Sequence, residues 1–236
     1  MPEIFRRVEK KYIISKIQFE YIQDIVKDRM IEDSFGKSKI CNIYFDTNNY
    51  DLISHSIQKP IYKDKIRLRS YNIPTNKDYV FLEIKRKFDG VVTKRRIKLR
   101  LEEVNKYFSR EKIKTNDSQI QNEIDYYFEH YKLHPTMFLS YDRIAYYDKN
   151  DYNFRITFDS NIIVRNYNLK LENGNEGQHI FEEDKYIMEL KTLGAIPLWF
   201  VEILSKAKIY PCGFSKYGEA YTQIVLKSNC VKKYII

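Results

Sequence analysis

Residues 63–71, KDKIRLRSY, alternate cations with apolar side chains, and the reading of this alternation decides the fold. A strand points successive side chains to opposite faces, so Lys65, Arg67 and Arg69 share one face while Ile66 and Leu68 share the other. Solvated strand faces usually mix Thr, Gln, Lys and Glu, because like charges on neighbouring positions repel. Taken alone, this strand also fits an ordinary solvated face with a cationic bias, so the question passes to its neighbours.

The same parity recurs along the chain. IFRRVEKKYII places Arg7, Glu9 and Lys11 on one face. DYVFLEIKRKF gives Glu83, Lys85 and Lys87, and VVTKRRIKLRL gives Lys94, Arg96 and Lys98, with Asp89-Gly90 between them as a hairpin signal. MFLSYDRIAYYD contributes Tyr141 and Arg143, NFRITFDSNIIV contributes Arg155, Thr157 and Asp159, and KYIMELKTL contributes Glu189 and Lys191. The opposite faces carry Val8, Ile66, Leu68, Leu82, Ile84, Ile97, Leu99, Ile144, Ile156, Phe158 and Leu190. One face is therefore apolar and the other basic with a few lone carboxylates. Converging Arg and Lys side chains cannot satisfy one another; they need a polyanion, and phosphate oxygens match the Arg fork well. The sparse Glu residues suit a divalent cation shared with that phosphate. On an open sheet the basic face would meet water, whereas a closed barrel would make it a tunnel with focused positive potential.

Helical periodicity separates these strands. SKIQFEYIQDIVKDRM opens with Ser15 and Gln18 spaced as a capping box and aligns Phe19, Ile22, Val26 and Met30. Further helices are expected around 102–113 and 118–132, the second aligning Ile120, Ile124, Phe128 and Tyr131, and in IPLWFVEILSKA and SKYGEAYTQIVLK. No repeat, low-complexity tract or linker interrupts the chain. The expected architecture is one α+β domain over residues 1–236, built on an antiparallel sheet.

Composition narrows the function classes. With 41 Lys+Arg against 32 Asp+Glu, the net charge of +9 favours an anionic partner such as nucleic acid, an anionic membrane surface or polyphosphate. Cys41, Cys212 and Cys230 are far apart with no CxxC pair, which points to reduced thiols and excludes a disulfide framework or zinc site. MPEIFRRVEKKY has no apolar signal region and no later run reaches membrane-span length, so a soluble, cytoplasmic protein is expected. His55, His130, His134 and His179 fall outside the basic face, and no Ser-His-Asp or Cys-His set offers a nucleophile. Tyr141 and the other tyrosines read as packing residues.

In order, RRVEKKYII, IYFDT, KIRLRSY, FLEIKRKF, VVTKRRI, YDRIAY, FRITFD, IMELK and FSKYGEAY resemble the motifs of the VTC domain, from Arg7 to about Tyr221. That domain is the polyphosphate polymerase module of the vacuolar transporter chaperone family, grouped with the CYTH proteins among the triphosphate tunnel metalloenzymes. The resemblance implies a closed antiparallel barrel, a triphosphate tunnel of about eight strands with helices packed outside. It also implies phosphate-binding roles for Lys11, Arg67, Arg69, Lys85, Lys94, Arg143, Arg155 and Lys216, and a metal-binding role for Glu189. Arg96, Glu9 and Glu83 join them by inward parity, Arg96 toward phosphate and the two acids toward metal. CYTH proteins open with E-x-E-x-K, whereas this chain reads Arg7-Val8-Glu9-Lys10-Lys11. That exchange removes a metal-ligand candidate, adds Arg7 to the phosphate-binding candidates, and favours the VTC branch.

The expected activity is an ATP-dependent polyphosphate polymerase that passes the γ-phosphoryl to a polyphosphate chain, with Mn²⁺ or Mg²⁺ as cofactor. Lys11, Arg67, Arg69, Lys85, Arg143, Arg155 and Glu189 would carry the reaction. A metal-dependent triphosphatase acting on inorganic triphosphate or nucleotides would use the same tunnel, and a non-enzymatic polyphosphate- or RNA-binding module is the third alternative. No nucleic-acid partner is expected, because no RRM, KH or OB signature is present and Glu83 and Glu189 would repel its backbone. The family implies a membrane-protein partner subunit, through which any membrane association would come.

Overall fold

Alternating segments fold as strands and 3.6-periodic segments as helices in the computed structural model, which describes residues 8–227 except positions 35, 110, 112, 114 and 116. Arg7 and Cys230 lie outside the described residues. Along the chain run β1 (Val8–Ser15), α1 (Lys16–Arg29), β2 (Met30–Glu32), β3 (Ser38–Asp46), α2 (Asp51–Ile57), β4 (Tyr62–Tyr71), β5 (Tyr79–Phe88) and β6 (Val91–Arg100). They are followed by α3 (Leu101–Phe108), α4 (Ser118–Tyr131), β7 (His134–Asp148), β8 (Arg155–Arg165), β9 (Gln178–His179), β10 (Lys185–Thr192), α5 (Leu198–Lys206) and α6 (Lys216–Ala220), which continues as a π-helical turn over Tyr221–Leu226. The result is an α+β chain of antiparallel strands and helices that falls into two compact units, with β7 and β8 contributing to both.

The first unit comprises Met1–Ser38, Tyr141–Ile162 and Phe181–Phe214. Its strand order is β1-β10-β8-β7, with β2 on β7. The expected capping box starts α1: the Ser15 hydroxyl accepts from the Gln18 amide at 3.2 Å, and the Gln18 side chain accepts from the Ser15 amide at 3.0 Å. Phe19, Ile22 and Val26 then bury one helix face against Tyr12, Ile14, Ile156, Phe158, Met188 and Leu190, which α5 also covers with Phe200, Ile203 and Leu204. Each fully buried side chain of this size stabilises the fold by about 1.5–3 kcal/mol. Met30 is buried as well, as the first residue of β2.

The second unit comprises Lys39–Ser140, Ile163–Ile180 and Ser215–Ile236. Its order is β7-β3-β4-β5-β6, with β9 on β8. The apolar face predicted from parity is its core: Ile66, Leu68, Leu82, Ile84, Ile97 and Leu99 pack beneath Val104, Tyr107, Ile124 and Tyr127 of α3 and α4. The helix expected over 102–113 stops at Phe108, and Tyr127 takes the buried place expected of Tyr131, which is 38% exposed. Asp64 is an acid on this apolar side. It is satisfied there by Arg86 at 3.1 Å and by the hydroxyls of Tyr62 and Tyr127. The short helix α2 went unanticipated. It has no side-chain cap at Tyr50; its Asp51 amide donates instead to the Thr47 hydroxyl at 3.0 Å, and the Leu52 and Ile53 amides donate at 2.9 and 3.0 Å to the buried carboxylate of Asp46.

The antiparallel sheet is the one expected, and its closure into a barrel is not shown. The strand path ends at β1 and β6, and among the described residues no pairing joins them. The outer edge of β1 is occupied at Lys11, whose carbonyl accepts from the Cys212 amide at 2.7 Å.

Candidate functional site

The polar face of β4, β5 and β6 is organised by register into cross-strand rows. Lys65 lies opposite Lys85 and Lys85 opposite Lys94; Arg67 lies opposite Glu83 and Glu83 opposite Arg96; Arg69 and Lys98 flank Phe81. β3 extends the second row with Tyr44 and the third with Asn42. Three lysines thus stand abreast, and like charges directly opposite repel.

Glu83 is the centre of this face. Its side chain is fully buried, and its Oε2 accepts from Nε and Nη2 of Arg67 at 2.9 and 2.8 Å. Arg69 Nε lies 4.0 Å from the same oxygen, while Lys94 Nζ and Arg96 Nη1 lie 3.6 and 3.8 Å from Oε1. Four cations close on one carboxylate. Burial pushes the Glu83 pKa up, but Arg67, Arg69 and Lys94 outweigh it and bring the group down to about 2. Burial also lowers the Lys94 pKa, and Arg96, Arg69 and Arg67 add to that against the pull of Glu83. Four cations thus share the one carboxylate of Glu83.

Neighbouring side chains hold the guanidinium groups in place. Arg69 Nε donates to Asn42 Oδ1 at 2.9 Å, and Asn42 Nδ2 donates to the Leu139 carbonyl at 3.0 Å. Arg67 Nη1 reaches the Tyr44 hydroxyl at 3.4 Å, and the Tyr44 ring stacks on Tyr217 at 4.2 Å. Tyr217 donates in turn to Asp46 at 3.1 Å. Lys65 Nζ donates at 2.7 Å to Ser215, the cap of α6, so the row of lysines ends beside Lys216.

The corresponding face of the first unit is balanced. β1 and β10 place Lys11 opposite Glu189 and Glu9 opposite Lys191, and β8 adds Thr157 opposite Glu189 and Arg155 opposite Lys191. Lys11 Nζ lies 3.3 Å from Glu189 and 3.5 Å from Glu9, and it donates to the Phe214 carbonyl at 3.2 Å. Lys191 Nζ is 3.4 Å from Glu189, and Arg143 Nη2 is 3.9 Å from it. Arg143 spends its fork on the fully buried Asp159, donating from Nε and Nη2 at 2.6 and 2.7 Å. Burial lowers the Lys11 pKa, but Glu189 and Glu9 outweigh it and raise it, so this ammonium stays charged. Lys11, Lys191 and Arg143 thus face Glu9, Glu189 and Asp159.

Of the residues singled out in the sequence, Arg67, Arg69, Lys94 and Arg96 come together around Glu83, with Lys85 one row away. Lys11 and Arg143 come together around Glu189. Arg155 is directed elsewhere: its Nη2 donates to Asp33 at 2.8 Å. Glu83 lies within 4.0 Å of four cations, the surroundings of a counterion. Glu9 and Glu189 suit a metal better: they already share one cation, Lys11, and offer hard oxygen donors of the kind Mg²⁺ and Mn²⁺ take alongside phosphate oxygens and water. Among the described residues no three His, Cys, Asp or Glu side chains form a ready metal cage. Sequence reasoning missed Asn42, Tyr44 and the pairing role of Asp159. Only Asp159 left a signal, in its inward parity.

Solved structures share this fold at low identity. A candidate adenylate cyclase from Bacillus halodurans superimposes with a TM-score of 0.54 at 14% identity, over 89% of this chain and 95% of its own. A candidate adenylyl cyclase from Hippeastrum with a dominant triphosphatase activity gives 0.51 at 14% identity, over 92% and 96%. A Pyrococcus horikoshii protein gives 0.50 at 17% identity, over 92% and 98%. Among curated proteins none matches this sequence. At these identities the likeness is one of fold alone. The VTC domain matches residues 6–225, and the chain belongs to the VTC domain family.

Proposed function

We propose that this chain is a phosphotransferase with a tunnel-type triphosphate site, and that its principal reaction extends polyphosphate with the γ-phosphoryl of ATP, releasing ADP. The observation that carries this reading is the set of four cations closed on the single carboxylate of Glu83, in a chain of the VTC family. A triphosphate offers several negative charges and acceptor oxygens that match such a group of cations. Arg67, Arg69, Lys94 and Arg96 bind its phosphates, with Lys85 and Lys216 as further phosphate ligands. Phosphoryl transfer asks for positioning and charge neutralisation more than for a covalent nucleophile. The acceptor is itself an ionised phosphate, so no side chain has to act as a strong base. Glu189, with Glu9 beside it, would hold Mn²⁺ or Mg²⁺, which when bound neutralises charge on the phosphates. We take residues 1–236 as one such domain, working in the cytoplasm beside a membrane-protein partner. Among the described residues no helix is long and apolar enough to cross a membrane.

Purified protein given ATP and Mn²⁺, with and without a short polyphosphate primer, should produce long chains on a gel. Orthophosphate without chains would replace the polymerase by the second reading, a metal-dependent triphosphatase. That reading draws support from the fold shared with the Hippeastrum protein.

A further inference from the structure

The tip of the β5–β6 hairpin serves neither the core nor the phosphate cluster. Asp89 and Gly90 both adopt positive φ, 43° and 80°, and close the hairpin in a two-residue turn. Around the turn Phe88 is 58% exposed, Val91 36% and Val92 37%, and at the start of β4 Ile61 is 71% and Tyr62 43% exposed. Register gathers Tyr62, Phe88 and Val91 on one face, Tyr62 opposite Phe88 and Phe88 opposite Val91. The Asp89 amide donates to the Ile61 carbonyl at 3.0 Å, and Val92, opposite Lys87, lies on the other face at the same tip. Scattered single apolar residues on a surface mean little, but a contiguous set marks an interaction site. These sit on paired strands, so no rearrangement is needed to present them.

Cations flank this apolar tip. Lys63 lies opposite Lys87, which lies opposite Val92, and Lys59 is exposed nearby. Over residues 57–63 and 85–95 the only acid is Asp89. The tip is a protruding turn with an apolar apex and a basic collar. A groove-bound peptide would need a concavity and fixed polar contacts. A bilayer needs neither, accepting apolar side chains below its headgroups and lysines at the anionic headgroup level.

We infer that this tip is a membrane-docking element, inserting Ile61, Phe88, Val91 and Val92 into the interface of an anionic bilayer while Lys59, Lys63 and Lys87 meet its headgroups. The element acts independently of the triphosphate chemistry proposed above.

The full chain should co-sediment with vesicles of phosphatidylcholine containing phosphatidylserine and much less with phosphatidylcholine alone. Phe88→Ser with Val91→Ser should weaken binding at least tenfold, and Lys63→Glu with Lys87→Glu should do the same. Both double variants should keep the wild-type circular dichroism spectrum and melting temperature, since the altered side chains lie outside the core. Phe88→Trp should add a fluorescence signal that shifts to the blue on adding anionic vesicles. Saturating tripolyphosphate should leave vesicle binding in place. Absence of vesicle binding, indifference to both double variants, or displacement by tripolyphosphate would overturn the inference, the last by assigning lipid binding to the phosphate cluster.

Discussion

The polar strand faces of the two units use the same residue types to opposite effect. Around Glu83 four cations crowd one acid, whereas around Glu189 the cations Lys11, Lys191 and Arg143 are matched by Glu9, Glu189 and Asp159. A buried charge is tolerated when it is paired, so the balanced face is close to electrostatic rest. The cation-rich face is held together by Glu83 and by the hydrogen bonds of Asn42 and Tyr44. On the proposed reading one face takes the anion, and the other presents Glu9 and Glu189 as hard oxygen donors to a divalent cation.

The largest expected difference between the faces is kinetic. Glu189→Gln should lower metal-dependent turnover by about 100-fold or more while tripolyphosphate binds as tightly as before, or tighter. Parallel activity and calorimetric titrations check it, and equal loss of binding and turnover would erase the division of labour.

Acid should separate the faces next. The Glu83 pKa is depressed from 4.5 to about 2, so its stabilising contribution is complete above 4.5 and disappears as pH falls through 2. Its share of the acid loss is roughly 3 kcal/mol. Urea unfolding at pH 6 and pH 2.5 should show this loss in wild type, and Glu83→Gln should lack most of it.

Arg67→Ala removes the two hydrogen bonds to Glu83 and a phosphate ligand together. Tripolyphosphate binding should weaken by roughly 1.5–3 kcal/mol, on the order of 10- to 100-fold in Kd. Wild-type affinity in this variant would put the anion elsewhere.

The smallest effect is a fraction of a proton. Lys94 has a lowered pKa, so it loses charge at a lower pH than an ordinary lysine, and a bound polyanion should restore that charge. Calorimetry at alkaline pH in buffers of different ionisation enthalpy should detect proton uptake on tripolyphosphate binding. The uptake should vanish in Lys94→Met.

Much of this contrast was legible in the sequence, and the reasons are local. A period of two separates the faces whatever the rest of the fold does, so Arg67, Arg69, Glu83, Lys94 and Arg96 were assigned to one side from parity alone. Asp89-Gly90 further fixes the hairpin and hence the opposition of Lys85 to Lys94. Contacts between distant segments were not legible. Arg155 meets Asp33 across 122 residues, and nothing near either predicts it. The cationic surroundings of Glu83 depend on β4, β5 and β6 together, since cations from both flanking strands must converge on it. The helix α2 escaped because its first amides are held by Thr47 and Asp46, which precede it, in place of a capping residue at Tyr50. Barrel closure was an expectation from family resemblance, and parity within single strands says nothing about which edges meet.

The most direct test is a crystal structure of the protein with tripolyphosphate and Mn²⁺. Phosphate oxygens should lie within hydrogen-bonding distance of Arg67, Arg69, Lys94 and Arg96, with Glu83 still paired to Arg67 and an anomalous manganese peak at Glu189. Tripolyphosphate bound elsewhere, with those four cations still closed on Glu83, would contradict the assignment of this face as the anion site.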